Sequence, residues 1–486
     1  MLRFLGLLER LGKVAVFFGV LMSLPAFVSW WYEDGLASVY LSHAGQTAAG
    51  GALFALAGRL RQSPRLGLRD GFLLVILIWT LLPALAAVPL MSVLPELSFA
   101  HAYFEAASGL TATGATVLSG LDDMPPSLNF WRGEMIWIGG MGLIVLVIAV
   151  LPILSAGTAA MMQTELPGPT KDERLAPQIT QTAKWLWLSY AALTVACALS
   201  YYAAGMTGFD AIMHAFTTLG LGGFSSHDAS YAYFDSPLIE AVATVFMVVA
   251  GMNFALHVLA WRRRSTRFYW HNLEWRAYIA VLMVAVAVVV CYLRATGFYD
   301  NWADAFRYGV FNAVSILTTT GYSNTDYGAW PMFAPLLILV LANIVSCSGS
   351  TGGGIKMQRA LLVSYQTRTE TEKSLHPYAY YTNHASPSMP QKHMISALFF
   401  ILAYCFTAVA LMLALVASGM DDFTTAFSAA LATLSNTGPG LGGVGPASNY
   451  GELTVTQTWL CSFAMLIGRL ELMSFLILLR REFWRW

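Results

Sequence analysis

The stretch Thr318-Thr319-Thr320-Gly321-Tyr322-Ser323 is the starting point for predicting the fold. It follows an apolar run that ends at Leu317 and precedes a polar turn that begins at Asn324. Three hydroxyl side chains and a glycine are unfavourable for a membrane-spanning helix, whereas they suit a short extended backbone whose carbonyl groups face a pore. A loop outside the membrane can have the same composition, so this stretch alone leaves both interpretations open.

The composition indicates an integral membrane protein. Of the 486 residues, 57% are hydrophobic and 11% are charged, whereas a soluble domain has about 25% charged residues. The formal net charge of zero gives no reason to expect nucleic-acid binding. The five cysteines and nine histidines show neither CxxC nor other ligand spacing, so the sequence predicts no disulfide framework and no transition-metal site.

The chain repeats one pattern four times: a long apolar helix, a half-length helix, a Thr/Gly-rich stretch and a second long apolar helix. The half-length helices are predicted at Phe99–Leu110, Phe209–Leu219, Trp302–Leu317 and Phe423–Leu434. The four stretches contain Thr111, Ala112, Thr113, Gly114, Gly220, Leu221, Gly222, Gly223, Thr318, Thr319, Thr320, Gly321, Ser435, Asn436, Thr437 and Gly438. Because an uncommon pattern recurs at intervals of one repeat, a ring of equivalent stretches is favoured over isolated loops.

Two spanning helices, Val14–Tyr32 and Ala37–Leu60, are predicted before the first unit. The predicted fold is therefore an all-α integral membrane protein with ten spanning helices, in which four helix–pore-helix–filter–helix repeats surround a central pore. The predicted units are residues 1–68 for the N-terminal helices and 69–165, 166–270, 271–375 and 376–486 for the repeats. In the second repeat, the helix that returns across the membrane, Pro237–Trp261, is predicted to be continuous.

The placement of charged residues predicts the orientation. Of the 27 Lys and Arg residues, Arg132, Arg294 and Arg307 fall on the side of the half-length helices and Arg469 lies within a helix, while the others flank helix ends on the opposite side. By the positive-inside rule that opposite side is cytoplasmic and holds both termini. The outer side is predicted to be a negative vestibule that concentrates cations, with Glu96, Asp122, Asp123, Asp210, Asp228, Asp300, Asp304, Asp326, Asp421, Asp422 and Glu452.

The chemistry of the four stretches favours a monovalent cation. Backbone that is not helical lies at membrane depth only where protein or water surrounds it, and its carbonyl oxygens can then replace the hydration shell of an ion. No carboxylate falls within any of the four stretches, which disfavours a ring selective for divalent cations. Each half-length helix also directs its partly negative C-terminal end towards the centre.

Two features are predicted on the cytoplasmic side of these stretches. The third repeat's return helix is interrupted by residues 346–356, which include Gly349, Gly352, Gly353, Gly354 and Lys356. This segment lacks the Gly-Lys-Ser/Thr ending of a phosphate loop, so it is interpreted as either a flexible plug beneath the pore or a plain kink. Arg469, near the middle of the last long helix, is costly at that depth; it is either a functional charge or a residue paired with backbone carbonyls.

The stretches TATGAT, GLGGFSSHD, TTTGYSNTD and SNTGPGLGG carry a resemblance to the TrkH/KtrB superfamily of potassium transporters, and most closely to its TrkH branch, over essentially the whole chain. The resemblance implies K⁺ as the transported ion, with a selectivity filter that has one glycine per repeat: Gly114, Gly223, Gly321 and Gly438. In the second repeat Gly220 and Gly222 replace bulkier or hydroxylated residues, so its register could slip and make Gly222 the equivalent.

The resemblance also implies how the pore is controlled. Residues 346–356 would be an intramembrane gate loop, and Arg469 a positive barrier below the filter. A bacterial inner-membrane location, a homodimer and a cytoplasmic ring of TrkA-like nucleotide-binding subunits are implied in the same way.

Three other functions fit the sequence less well. A sodium- or proton-coupled cation transporter, such as a K⁺/Na⁺ symporter, needs buried ionisable residues near the midplane; apart from Arg469 almost none is predicted, since Glu105, Glu134 and Glu240 are expected near outer helix ends within reach of water. A membrane enzyme needs a clustered nucleophile, base or metal site, and the sequence shows none, so neither catalysis nor a covalent cofactor is predicted. A purely structural membrane protein does not account for four filter-like stretches.

Overall fold

The computed structural model describes residues 2–59, 67–150, 179–376, 391–470 and 472–484. The described residues form helices and no strands, as predicted. The predicted boundary between the first two repeats, at residues 165 and 166, lies outside the described residues. So do most residues of two polar segments, 156–182 and 366–391, which the sequence predicts to be cytoplasmic and long enough to bind a partner.

Three helices precede the repeats: α1 (Leu2–Leu21), α2 (Leu24–Tyr32) and α3 (Ala37–Arg59). The predicted start of the first helix at Val14 was wrong, because the charged residues before it continue the helix. Small residues allow α1 and α3 to pack closely along this extension. A Cβ atom added at Gly12 would lie 2.4 Å from the carbonyl oxygen of Gly51.

The first two repeats follow the predicted order. The first repeat has α4 (Leu68–Val93), the half-length helix α5 (Phe99–Leu110) and the return helix α6 (Pro126–Val150). The second has α7 (Ile179–Ala203), the half-length helix α8 (Gly208–Gly220) and a return helix in two parts, α9 (Pro237–Ala250) and α10 (Phe254–Arg263). A short helix, α11 (Arg267–His271), leads to the third repeat.

The return helix of the third repeat is interrupted, as it is in the second. The third repeat has α12 (Leu273–Ala295), the half-length helix α13 (Trp302–Leu317) and a return helix in two parts, α14 (Phe333–Val345) and α15 (Met357–Leu375). The fourth has α16 (Gln391–Ala417), α17 (Phe423–Leu434), α18 (Val455–Leu470), α19 (Leu472–Leu478) and α20 (Arg481–Trp484). Within the described residues, five helices are long and apolar enough to cross a membrane, and the bent pair α9–α10 makes six. The total of ten spans therefore stays a prediction.

Each half-length helix begins at a side chain that caps its first turn. The capping residues are Ser98, Thr207, Asn301 and Asp422. Each side-chain oxygen accepts a hydrogen bond from a backbone N–H of the first turn, which satisfies a group that has no partner inside the helix. These caps fix where each half-length helix starts, and so how far it reaches before the Thr/Gly-rich stretch.

The repeats form a closed ring. The return helix of each repeat packs on the half-length helix of the next: α6 on α8, α9 on α13, α14 on α17, and α18 back on α5. The N-terminal helices lie beside the first repeat, where α2 contacts α6 and both α1 and α3 contact α4. The C-terminal ends of all four half-length helices consequently meet at the centre of the ring.

The prediction of a continuous return helix in the second repeat was wrong. The helix stops at Ala250, turns by 93° and resumes at Phe254. Asn253 caps the second part, because its side-chain oxygen accepts a hydrogen bond from the N–H of Ala255 (2.8 Å). A glycine commonly ends a helix and an asparagine commonly caps the start of one. The sequence Gly251-Met252-Asn253 therefore indicates a helix break at this position.

Candidate functional site

The four Thr/Gly-rich stretches are called the filter strands below: residues 111–116, 220–225, 318–323 and 435–440. Their glycines meet in a closed ring that has no room for side chains. A Cβ added at Gly114 would lie 2.2 Å from the nitrogen of Gly223, and one added at Gly223 would lie 2.6 Å from the oxygen of Gly321. A Cβ added at Gly321 would lie 2.3 Å from the oxygen of Thr437, and one added at Gly438 would lie 2.6 Å from the oxygen of Thr113. Three of these glycines also have a positive φ, +83° at Gly114, +88° at Gly321 and +95° at Gly438.

The register of the second strand follows from its hydrogen bonds. In every strand, the N–H of the residue before the ring glycine donates to a carbonyl near the end of its half-length helix: Thr113 to Ser108 (2.8 Å), Gly222 to Thr217 (3.0 Å), Thr320 to Ser315 (2.8 Å) and Thr437 to Ala432 (2.9 Å). Gly222 is therefore the counterpart of three threonines. The structure places Gly223, and not Gly222, in the ring, although Gly223 lacks the positive φ of the other three.

Hydroxyl groups line the inner part of three strands. Pairs of hydroxyls hydrogen-bond each other between Thr111 and Thr113 (2.6 Å), Thr318 and Thr320 (2.8 Å), and Ser435 and Thr437 (2.7 Å). The second strand has Gly220 and Gly222 at these two places, and the side chain of Ile136 occupies the space. A Cβ would lie 2.5 Å from Ile136 Cγ2 at Gly220 and 3.0 Å from it at Gly222. At their inner ends, three of the four filter strands therefore carry hydroxyl groups and the second strand carries none.

A cavity of about 90 Å³ lies directly outside the ring glycines. Its lining includes Gly114, Gly223 and Gly321 together with Arg132, His227 and Asp228. Burial lowers the pKa of His227, but its hydrogen bonds with Asp210 and Asp122 outweigh this effect and leave the pKa above its ordinary value. The protonated imidazole is therefore favoured between these two carboxylates.

Several carboxylates of the predicted acidic vestibule are bound to other groups of the protein. Asp228 lines the cavity and accepts a hydrogen bond from the N–H of Leu121 (3.0 Å), and Asp122 and Asp210 form ion pairs with His227. Asp326 and Asp422 accept hydrogen bonds from backbone N–H groups at helix starts. Carboxylates that are bound to protein donors contribute less field at the pore mouth than free ones.

The expectation that Glu105, Glu134 and Glu240 lie within reach of water was wrong, because all three are buried. Glu105 accepts a hydrogen bond from Arg132 (2.9 Å) and Glu240 accepts one from Arg307 (2.6 Å), so each charge has a cationic partner. Among the described residues, Glu134 has no hydrogen-bond partner at either carboxylate oxygen. The pairings are tertiary contacts that the local sequence does not reveal.

Residues 346–356, the gate loop, lie directly beneath the filter strands. The side chain of Thr351 donates to the carbonyl of Leu219 (2.9 Å), where the second strand begins. The N–H of Gly353 donates to the hydroxyl of Thr319 (3.0 Å). A Cβ at Gly353 would lie 2.0 Å from the carbonyl oxygen of Ser435. The loop therefore contacts three filter strands, and its role as a plug stays a prediction.

The break between α9 and α10 binds the other side of the gate loop. The carbonyl of Gly251 accepts a hydrogen bond from the N–H of Cys347 (3.1 Å), and the N–H of Phe254 donates to the carbonyl of Gly349 (3.1 Å). At the start of α12, the buried carboxylate of Glu274 accepts a hydrogen bond from the N–H of Ser348 (2.6 Å). The last gate-loop residues, Gly354 and Lys356, both have positive φ where the chain turns into α15.

Arg469 is buried with 3% of its surface exposed, and it joins the gate loop to the first repeat. Its guanidinium donates to the carbonyl of Thr351 (2.8 Å) and to the carbonyl of Gly139 on α6 (3.0 Å). Within the described residues its Nε has no partner. Both earlier interpretations of Arg469 are therefore compatible with its position, since it bonds backbone carbonyls and also places a cation beneath the filter strands.

Comparisons with known proteins agree with this arrangement. The family model TrkH, described as a cation transport protein, matches residues 44–484. The chain is 40% identical to the Trk system potassium uptake protein TrkH of Salmonella typhimurium and 41% identical to that of Vibrio parahaemolyticus, over the full length of each chain. It also matches a crystal structure of the potassium transporter TrkH from Vibrio parahaemolyticus with a TM-score of 0.90 and 39% identity, covering 99% of this chain and 100% of the other. The chain is a membrane protein that belongs to the TrkH family of cation transport proteins.

Proposed function

We propose that this chain takes up K⁺ through a pore lined by the four filter strands. The observation that supports this most directly is the closed ring of Gly114, Gly223, Gly321 and Gly438, in which backbone from four repeats meets without intervening side chains. Backbone carbonyls in such a ring replace the hydration shell of a monovalent cation. The names of the full-length relatives, potassium uptake proteins, point to K⁺ as that cation.

Within this proposal the filter strands coordinate the ion and the chain performs no covalent chemistry. The backbone carbonyls of the four strands supply successive rings of oxygen, and the threonine and serine hydroxyls add ligands at the inner end. The second strand contributes backbone only at that end, because Gly220 and Gly222 have no hydroxyl. The transported ion is the one ligand that the proposal requires.

The gate loop and Arg469 are proposed to close the pore from the cytoplasmic side. The loop fills the space beneath three filter strands, so conduction requires it to move. Arg469 supports the closed arrangement in two ways: its hydrogen bond holds Thr351, and its charge opposes a cation that leaves the filter.

The cellular setting is part of the same proposal. We infer a location in the bacterial inner membrane with both termini in the cytoplasm, which the distribution of Lys and Arg supports. The relatives are named as members of a Trk system, which supports further components beside this chain. We propose that these are a second copy of the chain, forming a homodimer, and a cytoplasmic TrkA-like nucleotide-binding subunit that acts on the gate loop.

Complementation tests the proposed function. A bacterium that lacks its own K⁺ uptake systems is given this chain together with its regulatory subunit, and growth is measured at low external K⁺. We expect growth at K⁺ concentrations where the parent strain does not grow. The control is the same strain with the regulatory subunit alone. If the strain that expresses the chain well grows no better than the control, K⁺ uptake by this chain is contradicted.

The buried carboxyl of Glu134 favours a second candidate, uptake of K⁺ coupled to another ion. An unpaired buried carboxylate is costly, and ion-coupled transporters place such groups inside the membrane. If coupling operates through Glu134, Glu134→Gln abolishes K⁺ uptake at low K⁺, whereas in the pore mechanism this isosteric change leaves the uptake rate unchanged. We expect the pore result, measured as the initial rate of K⁺ uptake in complemented cells.

A further inference from the structure

A carbonyl at the same place in each filter strand is bound by the preceding repeat in the ring. The carbonyl belongs to the residue two positions after the ring glycine. The four hydrogen bonds are Tyr450 N–H to Thr116 (2.8 Å), Arg132 Nη1 to Ser225 (3.0 Å), Tyr231 N–H to Ser323 (2.9 Å) and Tyr327 hydroxyl to Gly440 (3.5 Å). Repeat four binds repeat one, one binds two, two binds three, and three binds four. The outer ends of the strands are thus joined into a closed circle.

Arg132 differs from the other donors because it is charged and bonds two strands at once. Besides Ser225 of the second strand, its guanidinium donates to the hydroxyl of Thr116 in the first strand (3.2 Å). Its Nε donates to Glu105 (2.9 Å), which also accepts a hydrogen bond from the N–H of Val117 (2.9 Å). The side chain of Arg132 is fully buried, and its guanidinium lies over the ring of Phe224 with 4.4 Å to the ring centroid.

The charge of Arg132 is the wrong sign for a residue that lines a cation path, so its role is geometric. Glu105 neutralises the guanidinium at 2.9 Å and is itself held by the first strand. What remains is a planar set of donors that fixes the first and second strands relative to each other. An ammonium group offers its donors around one point and cannot reproduce this planar fork.

We propose that Arg132, oriented by Glu105, positions the first and second filter strands and thereby determines the preference for K⁺ over Na⁺. This inference rests on the proposed function. The distance between the strands sets how closely four carbonyls surround an ion, and a smaller ion is favoured when strands can move inward. Arg132 is thus a positioning residue that acts through Ser225 and Thr116.

The test compares Arg132→Lys with a matched control, Arg307→Lys. Arg307 is also an outer arginine paired with a buried glutamate, but it donates to the carboxylates of Glu240 and Asp235 rather than to a filter strand. The measurement is the initial rate of K⁺ uptake against increasing Na⁺ in complemented cells, beside the thermal stability of each purified full-length variant. We expect the K⁺ preference to fall roughly tenfold in R132K and to stay unchanged in R307K.

The outcomes separate the two proposals. If the unmodified chain takes up K⁺ normally and R132K keeps its preference for K⁺ over Na⁺, only this inference is overturned. The same conclusion follows if the K⁺ preference falls equally in R132K and R307K. Absence of K⁺ uptake by the unmodified chain overturns the proposed function as well. If R132K does not fold, Thr116→Ala decides: it removes the hydroxyl in the first strand that accepts a hydrogen bond from Arg132. We expect a smaller fall in K⁺ preference, and an unchanged preference overturns the inference.

Discussion

Replacing Gly321 by serine is expected to lower the preference for K⁺ over Na⁺ by roughly ten- to a hundredfold, which corresponds to about 1.4–2.8 kcal/mol. The new Cβ would lie 2.3 Å from the carbonyl oxygen of Thr437 and 2.7 Å from Cδ of Pro439. Both atoms belong to the fourth filter strand, so that strand has to move, and with it a carbonyl that is proposed to surround the ion. The measurement is K⁺ uptake in competition with Na⁺, with the chain and the proposed regulatory subunit supplied together.

Gly120→Ser is the matched control for this prediction. Gly120 also has a positive φ, +75°, but an added Cβ meets nothing within 4 Å. Both substitutions therefore carry the strain of a side chain in the left-handed region, about 1–2 kcal/mol, and only Gly321→Ser displaces a filter strand. Unchanged K⁺ preference in G321S, or an equal fall in G120S, would show that the ring does not select the ion.

The second large effect is expected at the gate. Arg469→Ala should raise the resting cation flux roughly tenfold or more in liposomes that contain the full-length chain without the proposed regulatory subunit. The substitution removes the hydrogen bond to Thr351 (2.8 Å) and the buried charge beneath the filter strands. A hydrogen bond from a charged group contributes about 1.5–3 kcal/mol, and about 1.4 kcal/mol changes an equilibrium tenfold.

Two further variants make this prediction specific. Arg469→Lys keeps the charge but loses the simultaneous bonds to Thr351 and Gly139, so we expect an intermediate rise in flux. Arg263→Ala, which removes an exposed arginine at the end of α10, should leave the flux unchanged. A resting flux in R469A equal to that of the unmodified chain would assign Arg469 a purely structural role.

The parts of the fold that the sequence predicted well are those determined by local contacts. The half-length helices Phe99–Leu110, Trp302–Leu317 and Phe423–Leu434 have the predicted bounds, because their apolar runs, capping residues and Thr/Gly-rich ends are all adjacent in the chain. The register of the second strand stayed open for a related reason. Gly220 to Gly223 offer several glycines, and the choice is made by Ile136 on another helix.

The parts that could not be predicted depend on partners far away in the sequence. Glu105 is buried because Arg132 neutralises it, and a single-helix pattern cannot show that pairing. Arg469 is held by carbonyls of Thr351 and Gly139, which belong to two other repeats. The break at Asn253 has a local capping signal, but its stability comes from the gate loop that fills it.

The breaks in the two interrupted helices, α9–α10 and α14–α15, are joined by hydrogen bonds between their backbone groups. The carbonyl of Gly251 and the N–H of Phe254 are bound by Cys347 and Gly349 of the gate loop. If the gate loop moved away from the filter strands only in part, these backbone groups would lose their partners while still buried. Each unsatisfied group would cost about 1–3 kcal/mol. We therefore expect partly open arrangements to be the least stable ones and the proposed pore to be bistable. Single-channel currents should switch between zero and one full amplitude, with few intermediate levels.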